Sequence, residues 1–179
     1  MLRPAYIVLP ALALALSGCW QSADPLMPAA TLDSAPLVGS WSSQGKPADS
    51  AHRYRVVAEG KLFQLEKLMT GEADPTWRPA DRLALDALGP DDFIAQATNP
   101  DGEHFYVLLR LSNDSDTLTV LTPACTAEVE AAFAAGKDGN VCKFTSYAKV
   151  RAAAQQFLAA LRAGSGDAAT YEQSVYTRD

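Results

Sequence analysis

NPDGEHFYVLLRLSNDSDTLTVLT, Asn99 to Thr122, is the stretch whose reading decides the fold class. Asn99-Pro100-Asp101-Gly102 and Asn113-Asp114-Ser115-Asp116 carry the side chains that close turns. Between them, residues 105–111 are the most apolar run beyond the N-terminal 20 residues, and residues 117–122 are rich in β-branched side chains. Two such runs bounded by turn residues read as neighbouring strands, with residues 105–111 central in a sheet.

Working upstream, residues 93–98 and 83–88 are short runs separated by Gly89-Pro90-Asp91. Residues 53–58 and 61–68 flank Glu59-Gly60, which reads as a β-hairpin. Residues 70–80 contain Gly71, Pro75 and Pro79 and are expected to form a loop. Leu37-Val38-Gly39-Ser40-Trp41 reads as the first strand. Downstream of Pro123 the period changes. Thr126 is expected to cap a short helix to about residue 135, and Gly136 to Gly139 to end it. Ser146 is expected to cap a longer helix over residues 147–163, stopped by Gly164. Its stripe is Tyr147, Val150, Ala154, Phe157, Leu158 and Leu161, with Lys149, Arg151, Gln155 and Arg162 facing away. The expected class is α+β: a mostly antiparallel β-sheet, sandwich or small barrel, with the short helix and the longer C-terminal helix packed on it.

The N-terminus is a different kind of segment. Arg3 precedes an uncharged run of 11 residues, 6–16. A secretory h-region has about 7–15 residues and a membrane-spanning helix about 20. The run is too short to span. At its end Leu16-Ser17-Gly18-Cys19 resembles the lipobox of bacterial lipoproteins at all four positions. The resemblance implies thioether lipidation of Cys19, cleavage before it, and acylation of the new amino group. One acyl chain binds marginally, at about 0.8 kcal/mol per buried CH₂, whereas two or more hold stably. Trp20 follows the cysteine where many inner-membrane-retained lipoproteins carry Asp, so the resemblance implies an outer membrane lipoprotein, facing periplasm or cell surface. The expected organisation is signal peptide 1–18, lipidated flexible tether 19–36, globular domain 37–163 and polar tail 164–179.

Removing the leader leaves 161 residues, enough for one domain. The mature chain has 14 basic and 21 acidic side chains, a net charge of −7. That balance argues against nucleic acid, which needs a basic face, and against electrostatic docking on anionic lipid. Attachment to the membrane is expected through the N-terminal lipid alone. With Cys19 committed to lipid, Cys125 and Cys142 remain, and in an oxidising compartment they are expected to form a disulfide. A zinc site competes, but His104 lies far from them in sequence.

Other patterns carry less. Ser146 and Lys149 have the Ser-x-x-Lys spacing of penicillin-binding acyl-transferases, but Ser-Asp-Asn and Lys-Thr-Gly are missing, and a capping serine with a solvated lysine accounts for the same letters. His52 and His104 lack a nucleophile elbow, and His104 reads as a turn residue. Asp91-Asp92, Asp101 with Glu103, and Asp114 with Asp116 lack the EF-hand spacing. No catalytic set, metal site or cofactor is expected. Gly39 and Trp41, followed by antiparallel strands and a C-terminal helix, look like the lipocalin or calycin arrangement. That resemblance implies a barrel with a ligand pocket at Trp41; a core aromatic is the competing role. The expectation for function is a membrane-anchored, non-catalytic binding or interaction module of the cell envelope. It would meet an envelope protein partner or, in the lipocalin-like variant, carry a small apolar ligand. A cell-envelope hydrolase using Ser146 with Lys149 or His104 is the remaining class.

Overall fold

A computed structural model describes residues 20–28, 36–43, 53–69, 76–165 and 171–179. Leu16, Ser17, Gly18, Cys19 and His52 lie outside the described residues, as do 29–35 of the expected tether. The elements in chain order are β1 (Trp20–Ser22), β2 (Gly39–Ser43), β3 (Arg53–Glu59), β4 (Leu62–Met69), β5 (Thr76–Ala87), β6 (Asp92–Thr98), β7 (His104–Leu111), β8 (Thr117–Pro123), α1 (Ala127–Ala132), β9 (Gly136–Asp138), β10 (Val141–Lys143), α2 (Tyr147–Arg162) and β11 (Tyr171–Arg178).

Eight of these strands run in the order β6-β5-β4-β3-β2-β11-β8-β7, and pairing of β6 with β7 closes them into an antiparallel barrel. The alternative of a sandwich is thereby excluded. Each barrel strand thereby has a neighbour on both sides. The expected hairpin is present, with Glu59 opposite Leu62 and Gly60 at φ 62° in its turn.

Side chains alternate between two cores. Phe105, Val107, Leu109 and Leu111 of β7 point inward to Trp41, Phe63, Leu85 and Phe93. Tyr106 and Leu108 point outward, where Val150, Ala153, Ala154 and Leu158 of α2 cover them together with Trp20 and Phe144. Burial on both faces is why residues 105–111 show no polar alternation, Arg110 alone interrupting the apolar run where its guanidinium bonds Asp92. Each fully buried large side chain contributes about 1.5–3 kcal/mol.

Three expectations are corrected and one element is added. Residues 76–80 are not loop but the start of β5. Pro79 sits opposite Glu66, at the register shift between Leu65 and Glu66, where the missing proline N–H interrupts no regular ladder. The polar residues 171–178 are not a fraying tail but β11, between β2 and β8. Trp20–Ser22 is not a tether but β1, paired with the first residues of β7 on one edge and with β10 on the other. Residues 136–143 carry a second hairpin, β9–β10, with Gly139 at φ 56° in its turn.

The helices follow expectation in place and differ in detail. Thr126 Oγ1 accepts from Val129 N at 3.3 Å and caps α1, which ends at Ala132. Ser146 occupies the cap position of α2 but makes no side-chain capping bond. Gly164, at φ 67°, stops α2. Arg151 and Arg162 do not face away: they bond Asp86 and Asp92 on the barrel wall.

Candidate functional site

The barrel has a sealed end and a polar end. At the sealed end Leu37 and Trp41 are each 1% exposed. Trp41 Nε1 donates to the Leu37 carbonyl at 2.9 Å, and the Arg178 guanidinium lies 4.4 Å from the centre of the indole. Arg178 also donates to three backbone carbonyls: Nε to Ser115 at 3.0 Å, Nη1 to Val38 at 3.0 Å and Nη2 to Pro36 at 2.7 Å. One guanidinium thus ties the entry to β2, the β7–β8 turn and the end of β11. Gly39 answers to the same group. Its φ is 142°, and a Cβ there would lie 2.7 Å from Arg178 Nη1. Only glycine fits that approach.

Beyond this floor the interior becomes polar. Partners directly opposite across a pair of strands share a face. Trp41 is opposite Tyr54, and Tyr54 opposite Lys67. Ser43 is opposite Tyr176, Tyr176 opposite Leu118, and Asp81 opposite Leu65. Tyr54, Lys67, Asp81, Ser43 and Tyr176 therefore share the inner wall as a belt beside Trp41, Leu65 and Leu118. The Tyr54 and Tyr176 rings meet edge to face at 5.7 Å.

The electrostatics of the belt follow from burial. Tyr54 is pushed up to about 12, first by loss of water and then by the nearby Tyr176 and Asp81. Burial also raises Tyr176, against a lowering hydrogen bond from Ser174, and raises the Asp81 carboxyl. Two phenols kept protonated supply hydrogen-bond donors, and the Asp81 carboxyl supplies an acceptor.

Most of the other sequence-selected residues have structural partners. Trp41 lies on the interior floor, with the Arg178 guanidinium against its ring. Lys149 is exposed on α2, and Ser146 precedes that helix. His104 is not a turn residue: it opens β7, is 9% exposed, and bonds Thr98 Oγ1 through Nδ1 at 2.9 Å. Asp92 accepts from Arg110 Nε at 2.7 Å and from Arg162, and a cavity of about 610 Å³ opens beside the three. Glu103 bonds Asn99, and Asp114 bonds Ser112 and the Asp116 amide. Among the described residues no three His, Cys, Asp or Glu side chains gather to hold a metal ion. The Cys125 and Cys142 sulfurs are at disulfide distance, with Cα atoms 5.2 Å apart.

Tyr54, Asp81, Tyr176 and Arg178 were not selected from sequence. The alternation Tyr54–Val56 places Tyr54 on the face of an apolar residue, which is a usable signal. Arg178 carries none, because its role depends on carbonyls more than 60 residues away in sequence.

The fold and this interior define a class, an eight-stranded antiparallel barrel with one sealed end and a polar inner belt. No protein-family model, curated protein or solved structure matches the chain.

Proposed function

We propose that this protein is a lipid-anchored envelope protein acting as a non-catalytic binding barrel. Its ligand is a small molecule with an apolar body and an uncharged polar group. The observation that carries the reading is the graded interior: the Trp41 floor suits an apolar body, and Tyr54, Tyr176 and Asp81 suit a hydrogen-bonding head. Small closed barrels hold one such ligand or fill with side chains. The lipocalin-like arrangement suggested by Gly39 and Trp41 agrees with the closed barrel. The resemblance of Leu16 to Cys19 to a lipobox supports the lipid anchor, and Trp20 after the cysteine supports an outer membrane address.

The test is a thermal-shift screen of a soluble Cys19→Ala protein against fatty acids, fatty alcohols and sterols. A ligand at 100 times its Kd adds about 2.7 kcal/mol. For a domain of this size that is roughly 5–10 °C. A paired Tyr54→Phe, Tyr176→Phe protein should lose most of the shift given by the alcohol. No shift with any member of the set would refute the pocket. Affinity capture of one stoichiometric envelope protein would then favour a protein partner instead.

A further inference from the structure

We infer that the barrel lies directly on the bilayer that anchors it, with the β9–β10 turn toward the lipid. The inference rests on the proposed lipidation of Cys19 and goes beyond it, because a lipoprotein on a free tether would sample many orientations. The partner is the membrane surface.

The observation is how firmly the chain is held immediately after Cys19. Trp20 is 0% exposed. Its Nε1 donates to the Ala124 carbonyl at 3.1 Å, and its ring packs on Phe144 with centres 5.5 Å apart. Gln21 Oε1 accepts from Lys143 Nζ at 2.7 Å, and the Gln21 carbonyl from Phe144 N at 2.7 Å. Ser22 Oγ shares a hydrogen bond of 2.8 Å with Tyr106. Further on, Gln96 Oε1 accepts from Leu26 N at 2.8 Å and from Met27 N at 3.0 Å. Residues 20–27 are thus bound along the outside of the barrel.

Only one peptide unit, about 3.8 Å between Cα atoms, separates Trp20 from the cysteine. A free chain of residues 20–36 would instead let the domain wander by about 20–25 Å. Direction follows from register. β1 runs parallel to β10 with Trp20 opposite Cys142, so the chain enters β1 beside Val141, next to the turn between β9 and β10. The pairing of Cys142 with Cys125 ties that hairpin to the start of α1. Lys137 is paired with Glu130, and Lys143 bonds Gln21. The contact is therefore imposed by the covalent anchor rather than by charge.

The experiment uses the lipidated full-length protein in phosphatidylethanolamine–phosphatidylglycerol vesicles doped with a headgroup aryl-azide lipid. Crosslinks are mapped by mass spectrometry. Residues 136–141 should crosslink at least about fivefold more than residues 99–103, the β6–β7 turn at the opposite end of the barrel, toward which β1 runs away from Cys19. A ten-residue Gly-Ser insertion between Cys19 and Trp20 should bring the two to within about twofold. Equal crosslinking without the insertion, on protein whose intact mass includes the diacylglycerol adduct, would overturn this inference alone. Lack of the adduct would overturn the lipoprotein reading and this inference with it. Trp20→Ala should mimic the insertion, and the insertion itself leaves every described residue unchanged.

Discussion

Truncating Arg178 tests whether the last residues of the chain seal the barrel. Arg178→Ala removes three side-chain hydrogen bonds and the cation over Trp41, while the backbone bond from Arg178 N to Asp116 O at 2.9 Å remains. A hydrogen bond from a charged donor is worth about 1.5–3 kcal/mol when buried. The Val38 and Pro36 carbonyls are on the exposed side and regain water, so about 0.5 kcal/mol each is a fair discount. The part-buried bond to Ser115 contributes about 1 kcal/mol, and the contact with the indole about 1 kcal/mol. The sum is about 3 kcal/mol, or roughly 6–12 °C in Tm for a domain of this size. Arg178→Lys keeps the charge but reaches one carbonyl at a time, and should recover less than half of the loss. Thermal unfolding followed by circular dichroism supplies Tm, and Trp41 emission should shift to longer wavelength as water reaches the ring. A fraying tail predicts no change in either. An Arg178→Ala protein within 1 °C of wild type, with unshifted emission, would refute the sealed end; the threshold is about a quarter of 1 kcal/mol.

Three further outcomes are expected. Asp92→Ala strands two guanidiniums at the α2 contact. Because both arginines reach solvent, the loss should be about 2 kcal/mol, below the 3–5 kcal/mol of a fully buried pair, measured by urea unfolding. Reducing the Cys125–Cys142 pair reopens a loop of sequence separation 17 and should cost about 3 kcal/mol, read from Tm with and without a phosphine reductant. Stability should also fall between pH 10 and about pH 12. The Tyr54 pKa is raised in the folded state, so its contribution is complete below the unfolded value of 10.0 and is lost as pH rises through the folded value of about 12. Tyr54→Phe should flatten part of that decline in a Tm series over this range; an unchanged slope would count against burial of the phenol.

The local chemistry of the chain determined a good part of the molecule. Turn residues at 99–102 and 113–116 and the hairpin at Glu59-Gly60 depend on neighbours in sequence, so their strands were legible. The same holds for Thr126 as a cap and Gly164 as a stop, since caps act within one helical turn. Membership of the barrel by residues with no local signature was decided elsewhere. Tyr171–Arg178 alternates too weakly to announce a strand, yet β2 and β8 leave a gap that only another strand's N–H and C=O groups can fill. Trp20–Ser22 is three residues long, too short for any period, and is fixed by pairing with β7 and β10. Pro79 argued for a loop until the register shift opposite it made room for a residue without an N–H. The choice between sandwich and barrel likewise waited on β6 meeting β7, a contact that no stretch of sequence encodes alone. The inner belt depends on the same closure, because Tyr54, Asp81 and Tyr176 belong to three different strands and share a wall only once the sheet has curled shut.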